Sequence, residues 1–499
     1  MEILSRHLRR ICLSPQVSYH PKCSKIKLTH LTFADDLMIF MRGDLPSVLV
    51  VKDALDCFAL QSGLNANPDK TEIYFGGVQA SVKGLILAQS SFVEGKFPFR
   101  YLGVPLNTSR VTVDMYGVLM SKITSLLQHW SVNLLTYAGK AQMINSVLLG
   151  LLSYWCSNAL IPKAVVAHID KLCRSFFWST DTRARLIFKS WSSMCLPWVE
   201  GGFDIREILA WNKALLARLL WQLDQGHSSV WVTWVQRYYL LGQSIWQVRP
   251  SMAHSESFRH ILQVRDQCLL QLGDVSSVRI WLEGCASQGK FSISRAYDFF
   301  RSHSRRVQWA GALRVQSVTP CHSFITMLAA QRKLPTVDSL CRRGIFMVNR
   351  CSLCKLHGES HRHLFFLCPY SKQVWSLLLG WMRISSRTND LISELHWTHR
   401  KGRKTHWKTN WFRGSLTAAV YFIWNERNAR IFEGRERDPA QLAKMIRSLV
   451  SIPPCILPKR HSLFSSNPSV IPPFLLLHSS TFIIFIPVIP LFFFPKILI

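Results

Sequence analysis

Two groups of residues in this sequence have types and spacing that could do chemistry. The first is the adjacent pair Asp35 and Asp36 in LTHLTFADDLMIF, Leu28 to Phe40. The pair sits in an apolar run with no Lys or Arg between Lys27 and Arg42. Adjacent carboxylates at a tight turn can present hard oxygens to Mg²⁺. Metal ions held this way activate an attacking hydroxyl and steady a leaving group in phosphoryl transfer. An exposed hairpin turn, where Asp is common, accounts for the bare dipeptide better. The second group is Cys351, Cys354, His363 and Cys368, spaced C-x₂-C-x₈-H-x₄-C. Three thiolates and one imidazole suit tetrahedral Zn²⁺ in a closed structural site. Buried free thiols are the alternative, and His357 and His361 compete with His363 for the fourth position.

Several elements that must position these residues can be read from the pattern. Residues 29–44 read as strand, turn, strand, because Leu31 and Phe33, then Leu37 and Ile39, alternate with period two. Residues 46–62 predict an amphipathic helix, with Val48, Val51, Leu55 and Phe58 at helical spacing and Gly63 as its C-terminal cap. GLNANPDKTEIYFGG predicts a loop and then a short strand, Glu72 to Phe75. From Val113 to Trp178 the pattern is mainly helical, with Gly139 breaking the run inside NLLTYAGK. LPWVEGGFDI reads as a Gly-Gly turn, and WNKALLARLLWQL as a helix whose Trp residues suit a core better than a base-stacking surface. Residues 225–290 carry no clear pattern. A further module runs from about Phe291 to about Trp381. The basic stretch RKGRKTHWK, residues 400–408, and a helix from about Leu416 to Phe432 follow it.

The chain has 499 residues, 48% of them hydrophobic and 18% charged, so most of it should bury a core. Sixty Lys and Arg against 29 Asp and Glu give a formal net charge of +31. That excess favours a polyanionic partner, most simply RNA or DNA, over an anionic membrane surface. The 14 Cys are scattered, and MEILSRHLRRICL has no apolar core of a signal peptide. Both features predict free thiols in an intracellular setting, nucleus or cytoplasm. The tail from about Ser451 is apolar and rich in Pro. Thr481 to Ile499 approaches the ~20 residues of a membrane helix. Hydropathy alone would score residues 470–499 as transmembrane. Pro487, Pro490 and Pro495 argue instead for an unstructured terminus.

FADDLMIF resembles the active-site hairpin in the palm of reverse transcriptases from plant LINE-type (non-LTR) retrotransposons. Further blocks of that family follow in order. SGLNANPDKTEIYFGG is similar to its Asn-x-x-Lys-Ser/Thr segment, with Asn67, Lys70 and Thr71 in the matching places. FPFRYLGVPL is similar to its FxYLGxPL segment. LLTYAGKAQMINSVLLGLLSYW, CRSFFW, LPWVEGGFDI and WNKALLARLLW are similar to its next blocks. The resemblance implies RNA-directed DNA synthesis, with Asp35 and Asp36 as Mg²⁺ ligands and Lys70 near the nucleotide triphosphate. It also implies a further Asp from an upstream palm strand. Residues 1–34 hold no Asp, and their only acid is Glu2. The expectation is an N-terminally truncated chain with an incomplete site that does not polymerise.

FSISRAYDFFR, PCHSFITMLAAQRKLPTVDSLCRRGI and CSLCKLHGESHRHLFFLCPYSKQVW resemble the zinc-binding domain that follows these reverse transcriptases. The family's HLFF-x-C pattern picks His363 over His361. Met327 stands where the family usually has Trp, and Cys321 where it usually has Lys. IWNERNARIF resembles the segment that leads into an RNase H domain in longer relatives, but no acid follows Asp438 here. The fold class implied is α+β, in six parts. Residues 1–106 form a partial palm whose apolar faces lack partners, and 107–224 a helical thumb and connector. Residues 225–290 form a linker region of uncertain fold, and 291–382 the zinc-binding domain. Residues 383–450 form a basic helical region, and 451–499 the unstructured tail. A non-catalytic, zinc-dependent nucleic-acid-binding protein is the alternative function.

Overall fold

A computed structural model of the chain describes residues 2–34, 36–67, 70–107, 112–129, 135–178, 189–313, 318–384, 390–401, 407–450 and 482–485. The fold is mostly helical, with small sheets. Glu2–Ile11 forms α1. His30–Phe33 (β1) and Asp36–Phe40 (β2) pair antiparallel, with Phe33 opposite Asp36, which leaves two residues to make the turn. Ala34 takes a left-handed φ of 54° there, and Asp35 lies outside the described residues. Leu45–Ser62 forms α2. The Asp44 carboxylate accepts the Ser47 N–H at its start, and Gly63 closes it with φ of 72°. Both signals are local, so this helix matches its sequence pattern to within a residue.

The sheet continues through Glu72–Tyr74 (β3) and Val93–Glu94 (β4), which pair parallel. Phe99–Tyr101 (β5) and Val104–Leu106 (β6) form a separate hairpin, as do Ala286–Ser287 (β7) and Lys290–Phe291 (β8). The strand Phe482–Phe485 (β9) lies parallel between β2 and β3, giving the order β1-β2-β9-β3-β4. The expectation of an unstructured tail therefore differs at these four residues. Their backbone groups complete two ladders that would otherwise end at strand edges. The other residues of 451–499 are outside the described set. Among the described residues no helix is long and apolar enough to cross a membrane. This corrects the expectation that the C-terminal apolar segment would score as a span. Pro487, Pro490 and Pro495 interrupt it, and its described part is extended.

Both faces of the β1–β2 hairpin are covered, against the expectation of unpartnered apolar faces. Leu37, Ile39 and Met41 share a core with Leu4 and Leu8 of α1 and with Val48, Val51, Leu55 and Phe58 of α2. Leu31, Met38 and Phe40 share another with Trp221, Trp231, Trp234 and Phe258. Those rings come from the helices Ile208–Asp224, Val230–Val235 and Glu256–Leu272. Residues 225–290, which carried no clear pattern, thus supply helices that cover the hairpin. Polar contacts fix the cover. Trp234 Nε1 donates to the Lys22 carbonyl at 2.6 Å, and Lys25 N–H donates to Tyr238 Oη at 2.8 Å.

A third core joins the middle and C-terminal parts of the chain. The helix Lys163–Trp178 and the helical run Tyr137–Cys156 pack with Pro320–Ala330, Pro369–Met382 and Trp407–Phe432. Gly139 does not break its run. It lies in the first turn of a helix capped by Thr136, whose Oγ1 accepts the Gly139 N–H at 3.2 Å. In the Gly-Gly turn, Gly201 has φ of 83°, and a Cβ on Gly202 would fall 1.8 Å from the Leu196 carbonyl oxygen. Only glycine fits both positions without moving backbone. Met327 is fully buried in this core.

Candidate metal centre

The knuckle Cys351–Cys354 is built by backbone hydrogen bonds. Cys351 N–H donates to the His357 carbonyl, and Lys355 N–H donates to the Cys351 carbonyl, both at 2.8 Å. Lys355 takes a left-handed φ of 58° to close the turn. The second arm is a wide helical turn, His363–Leu367, closed by Cys368 N–H on the His363 carbonyl at 2.7 Å. Ser360 Oγ accepts the His363 N–H at its start. Leu364, Phe365 and Phe366 of that turn are buried and anchor it in the core. Cys368 then caps the helix Pro369–Met382. Its sulfur faces the N–H groups of Ser371 and Tyr370, an environment that favours thiolate.

One ligand atom from each of Cys351, Cys354, His363 and Cys368 lies within 4.8 Å of the others. Cys351 and Cys368 are fully buried, while Cys354 and His363 are half-buried. The Cys351 and Cys368 sulfurs are 4.0 Å apart, and Cys354 Sγ is 3.4 Å from His363 Nε2. A regular tetrahedron with Zn–S near 2.3 Å and Zn–N near 2.05 Å puts two sulfurs about 3.8 Å apart, and sulfur and nitrogen about 3.6 Å apart. These two spacings lie within a few tenths of an ångström of that geometry. The hydrogen bond between the two buried sulfurs raises the pKa of Cys351 and lowers that of Cys368. Burial, with the nearby His357, lowers the pKa of His363, which favours the neutral imidazole that can bind metal.

The competing histidines stand elsewhere. His361 Nδ1 lies 3.3 Å from Thr336 Oγ1, and burial pushes its pKa down to about 4. His357 contributes its carbonyl to the knuckle, and its ring centroid is 5.6 Å from that of His363.

Residues 291–375 match the family model described as zinc-binding in reverse transcriptase. That match takes in all four clustered residues. A curated protein of Arabidopsis thaliana, named for ribonuclease H, is 28% identical to this chain over 197 residues. The aligned stretch is 38% of this chain and 30% of that relative, so the chain spans about a third of the relative it matches. Together the two findings support a retrotransposon-type protein with a reverse transcriptase-related zinc-binding region.

Of the other candidate residues, Asp36 and Lys70 lie in or beside the N-terminal sheet, and Asp35 is outside the described residues. Asp36 opens β2 and is half-buried. Its charge and, more strongly, burial raise the pKa of Tyr101. Lys70 is half-buried just before β3, with its N–H on the Asn67 carbonyl. β9 separates β2 from β3, so the strand of Asp36 and the strand after Lys70 are about 10 Å apart, two inter-strand spacings. Among the described residues, only the three cysteines and His363 form a group of three or more side chains able to hold a metal ion.

Sequence reasoning missed the charged residues that surround the cluster. Glu359 and Glu426 are fully buried, as are Arg427 and most of Arg430. The signal was present as NERNAR inside an otherwise apolar helical pattern. Three charged side chains at i, i+1 and i+4 spacing, Glu426, Arg427 and Arg430, on a buried helix must find partners.

Proposed function

We propose that residues 291–450 form a zinc-stabilised module that holds nucleic acid for a reverse transcriptase-related protein. The observation that carries the reading is that ligand atoms of Cys351, Cys354, His363 and Cys368 all lie within 4.8 Å of one another. Zinc there is structural: four protein ligands leave no open coordination position for chemistry. The nucleic-acid part rests on charge. Residues 291–375 carry thirteen Lys and Arg against three acids, Asp298, Asp338 and Glu359. All three acids pair with arginines of this chain, Arg301, Arg342 and Arg427. Exposed Arg332, Lys333, Arg343 and Arg362 are left to meet phosphates. The test is zinc content and binding of a labelled single-stranded RNA. The wild-type chain should carry one zinc and bind. Cys351→Ser with Cys354→Ser should lose the zinc and unfold the module, because metal-binding energy there is folding energy. Full zinc occupancy in that double variant would sink the reading.

A second reading concerns the N-terminal hairpin, and the adjacent acids Asp35 and Asp36 in its sequence favour it. We infer that this hairpin derives from the palm of an RNA-directed DNA polymerase, with Asp35 and Asp36 as Mg²⁺ ligands and Lys70 beside the nucleotide. A two-metal site needs another carboxylate. The single acid of residues 1–34, Glu2, is exposed and paired with Arg6 at 3.1 Å. The chain is therefore expected not to extend a primer on an RNA template with dNTPs and Mg²⁺. Extension that disappears in the Asp35→Ala, Asp36→Ala variant would overturn that expectation.

A further inference from the structure

The zinc ligands come from two chain segments, and a third segment more than fifty residues away touches both. Arg430, on the helix Trp407–Phe432, donates from Nη1 to the carbonyl of Leu353 at 3.0 Å, inside the Cys351–Cys354 knuckle. The same guanidinium lies over the ring of Tyr370, 4.5 Å from its centroid, two residues after Cys368. One side chain thus spans both ligand arms. It is itself held in place. Its Nε donates to the buried Glu426 carboxylate at 2.9 Å, and its Nη2 donates to the Arg437 carbonyl at 2.9 Å. Tyr370 Oη donates to that same carbonyl at 3.0 Å. Glu426 also accepts the Arg437 N–H at 2.8 Å. The helix grips the loop between the arms as well. Arg427 makes a forked pair with Glu359, at 2.8 Å from Nη2 and 3.1 Å from Nε, and Glu359 in turn accepts the Val337 N–H at 2.8 Å.

We propose that Arg430, held by Glu426, is a positioning residue for the metal centre, and that the Glu426–Arg437 segment is a working part of the zinc module. The family match ends at residue 375, so this assigns the segment a role that the match does not cover. A carbonyl inside the knuckle that is fixed from outside sets the direction of both knuckle sulfurs. A ring fixed beside Cys368 sets the other arm. Planar Arg can serve both at once, whereas a Lys ammonium can reach one. Removing an outer partner of this kind weakens metal affinity by about 10–100-fold in characterised sites.

This inference rests on the reading that the cluster holds zinc, and the experiment separates the two. Zinc affinity of the full chain is measured by chelator competition for the wild type, Arg430→Ala and Arg430→Lys. The d–d absorption of the Co²⁺-substituted proteins is recorded alongside. The wild type should bind one zinc and show the intense bands of a tetrahedral sulfur-rich site. Arg430→Ala should bind about 10–100-fold more weakly with altered cobalt bands. Arg430→Lys should fall between, and it carries the test if the alanine variant does not fold. A wild type without bound zinc would sink the zinc reading itself. A zinc-binding wild type whose variants keep its affinity within twofold, and its cobalt spectrum, would overturn the role of Arg430.

Discussion

At the scale of single residues, the chain places ionisable groups in apolar surroundings and balances most of them with partners. The cluster of Cys351, Cys354, His363 and Cys368 is one example, since backbone hydrogen bonds hold its thiols and imidazole close together. The forked pair of Glu359 and Arg427 is another, buried but hydrogen-bonded on both sides. Asp170, on the helix Lys163–Trp178, is less well served. Burial, opposed by a hydrogen bond from Trp191, raises its pKa to about 6 from an ordinary 3.8. A raised carboxyl pKa contributes stability that is full below about pH 4 and lost as pH climbs through about 6. Two pKa units correspond to roughly 3 kcal/mol, an upper figure for a side chain with some exposure. Asp170→Asn keeps an oxygen for Trp191 and removes the charge. Its melting temperature should match wild type near pH 4, exceed it by pH 7, and show the gap opening between those values. A gap that is constant from pH 4 to 7 would contradict a titrating, buried Asp170.

At the scale of elements, the helix Trp407–Phe432 organises the C-terminal part of the chain. Its inner face, Phe412, Leu416, Ala419, Val420 and Ile423, is buried against the core under the metal cluster. Phe412 is fully buried, edge-on to Trp375 at 5.5 Å and tilted against Trp397 at 4.8 Å. Phe412→Ala should cost about 3–5 kcal/mol through lost burial and an unfilled cavity. Hydrogen exchange should accelerate in Pro320–Ala330 and Pro369–Met382, which share this core, and stay unchanged in α2, which packs in a different one. Equal acceleration in α2 would mean that the cores unfold as one unit. The polar face of the same helix carries the contacts to the metal knuckle. One helix therefore carries both the packing of this core and the contact to the Cys351–Cys354 turn.

At the scale of the whole molecule, the formal charge of +31 sets the expected behaviour towards polyanions. Each phosphate neutralised on a single strand adds about 0.7 to the slope of log affinity against log salt. Replacing Arg332, Lys333, Arg343 and Arg362 together by Gln should lower that slope by about 3. Zinc content should stay the same, because none of the four is a metal ligand or touches one in the ion-pair network described. An unchanged slope would move the nucleic-acid surface elsewhere on the molecule. The hairpin of β1 and β2 belongs to this scale too. Its two faces are covered by α1 and α2 on one side and by the tryptophan-rich helices of 208–272 on the other, so the N-terminal sheet is not left with an open apolar surface.

The sequence by itself determined what depends on near neighbours. The β1–β2 hairpin, α2 with its Asp44 and Gly63 caps, the Gly-Gly turn and the ligand spacing of Cys351, Cys354, His363 and Cys368 are all fixed within a few residues. Periodicity, capping and knuckle spacing are local signals, so they can be read from one strand of text. Only the tertiary structure decided what depends on distant partners. It excluded His357 and His361 from the cluster, because one serves through its carbonyl and the other packs against Thr336. It turned residues 225–290 from an unreadable stretch into the cover of the hairpin. It put Phe482–Phe485 into a sheet, where hydropathy alone suggested a membrane span. It also brought Arg427 to Glu359 and Arg430 to the Leu353 carbonyl, contacts that the pattern of IWNERNARIF does not show. Apart from the short-range bond between His357 and Cys351, the free energy comes from burying a surface or satisfying a polar group more than about twenty residues away, and no local pattern encodes that partner.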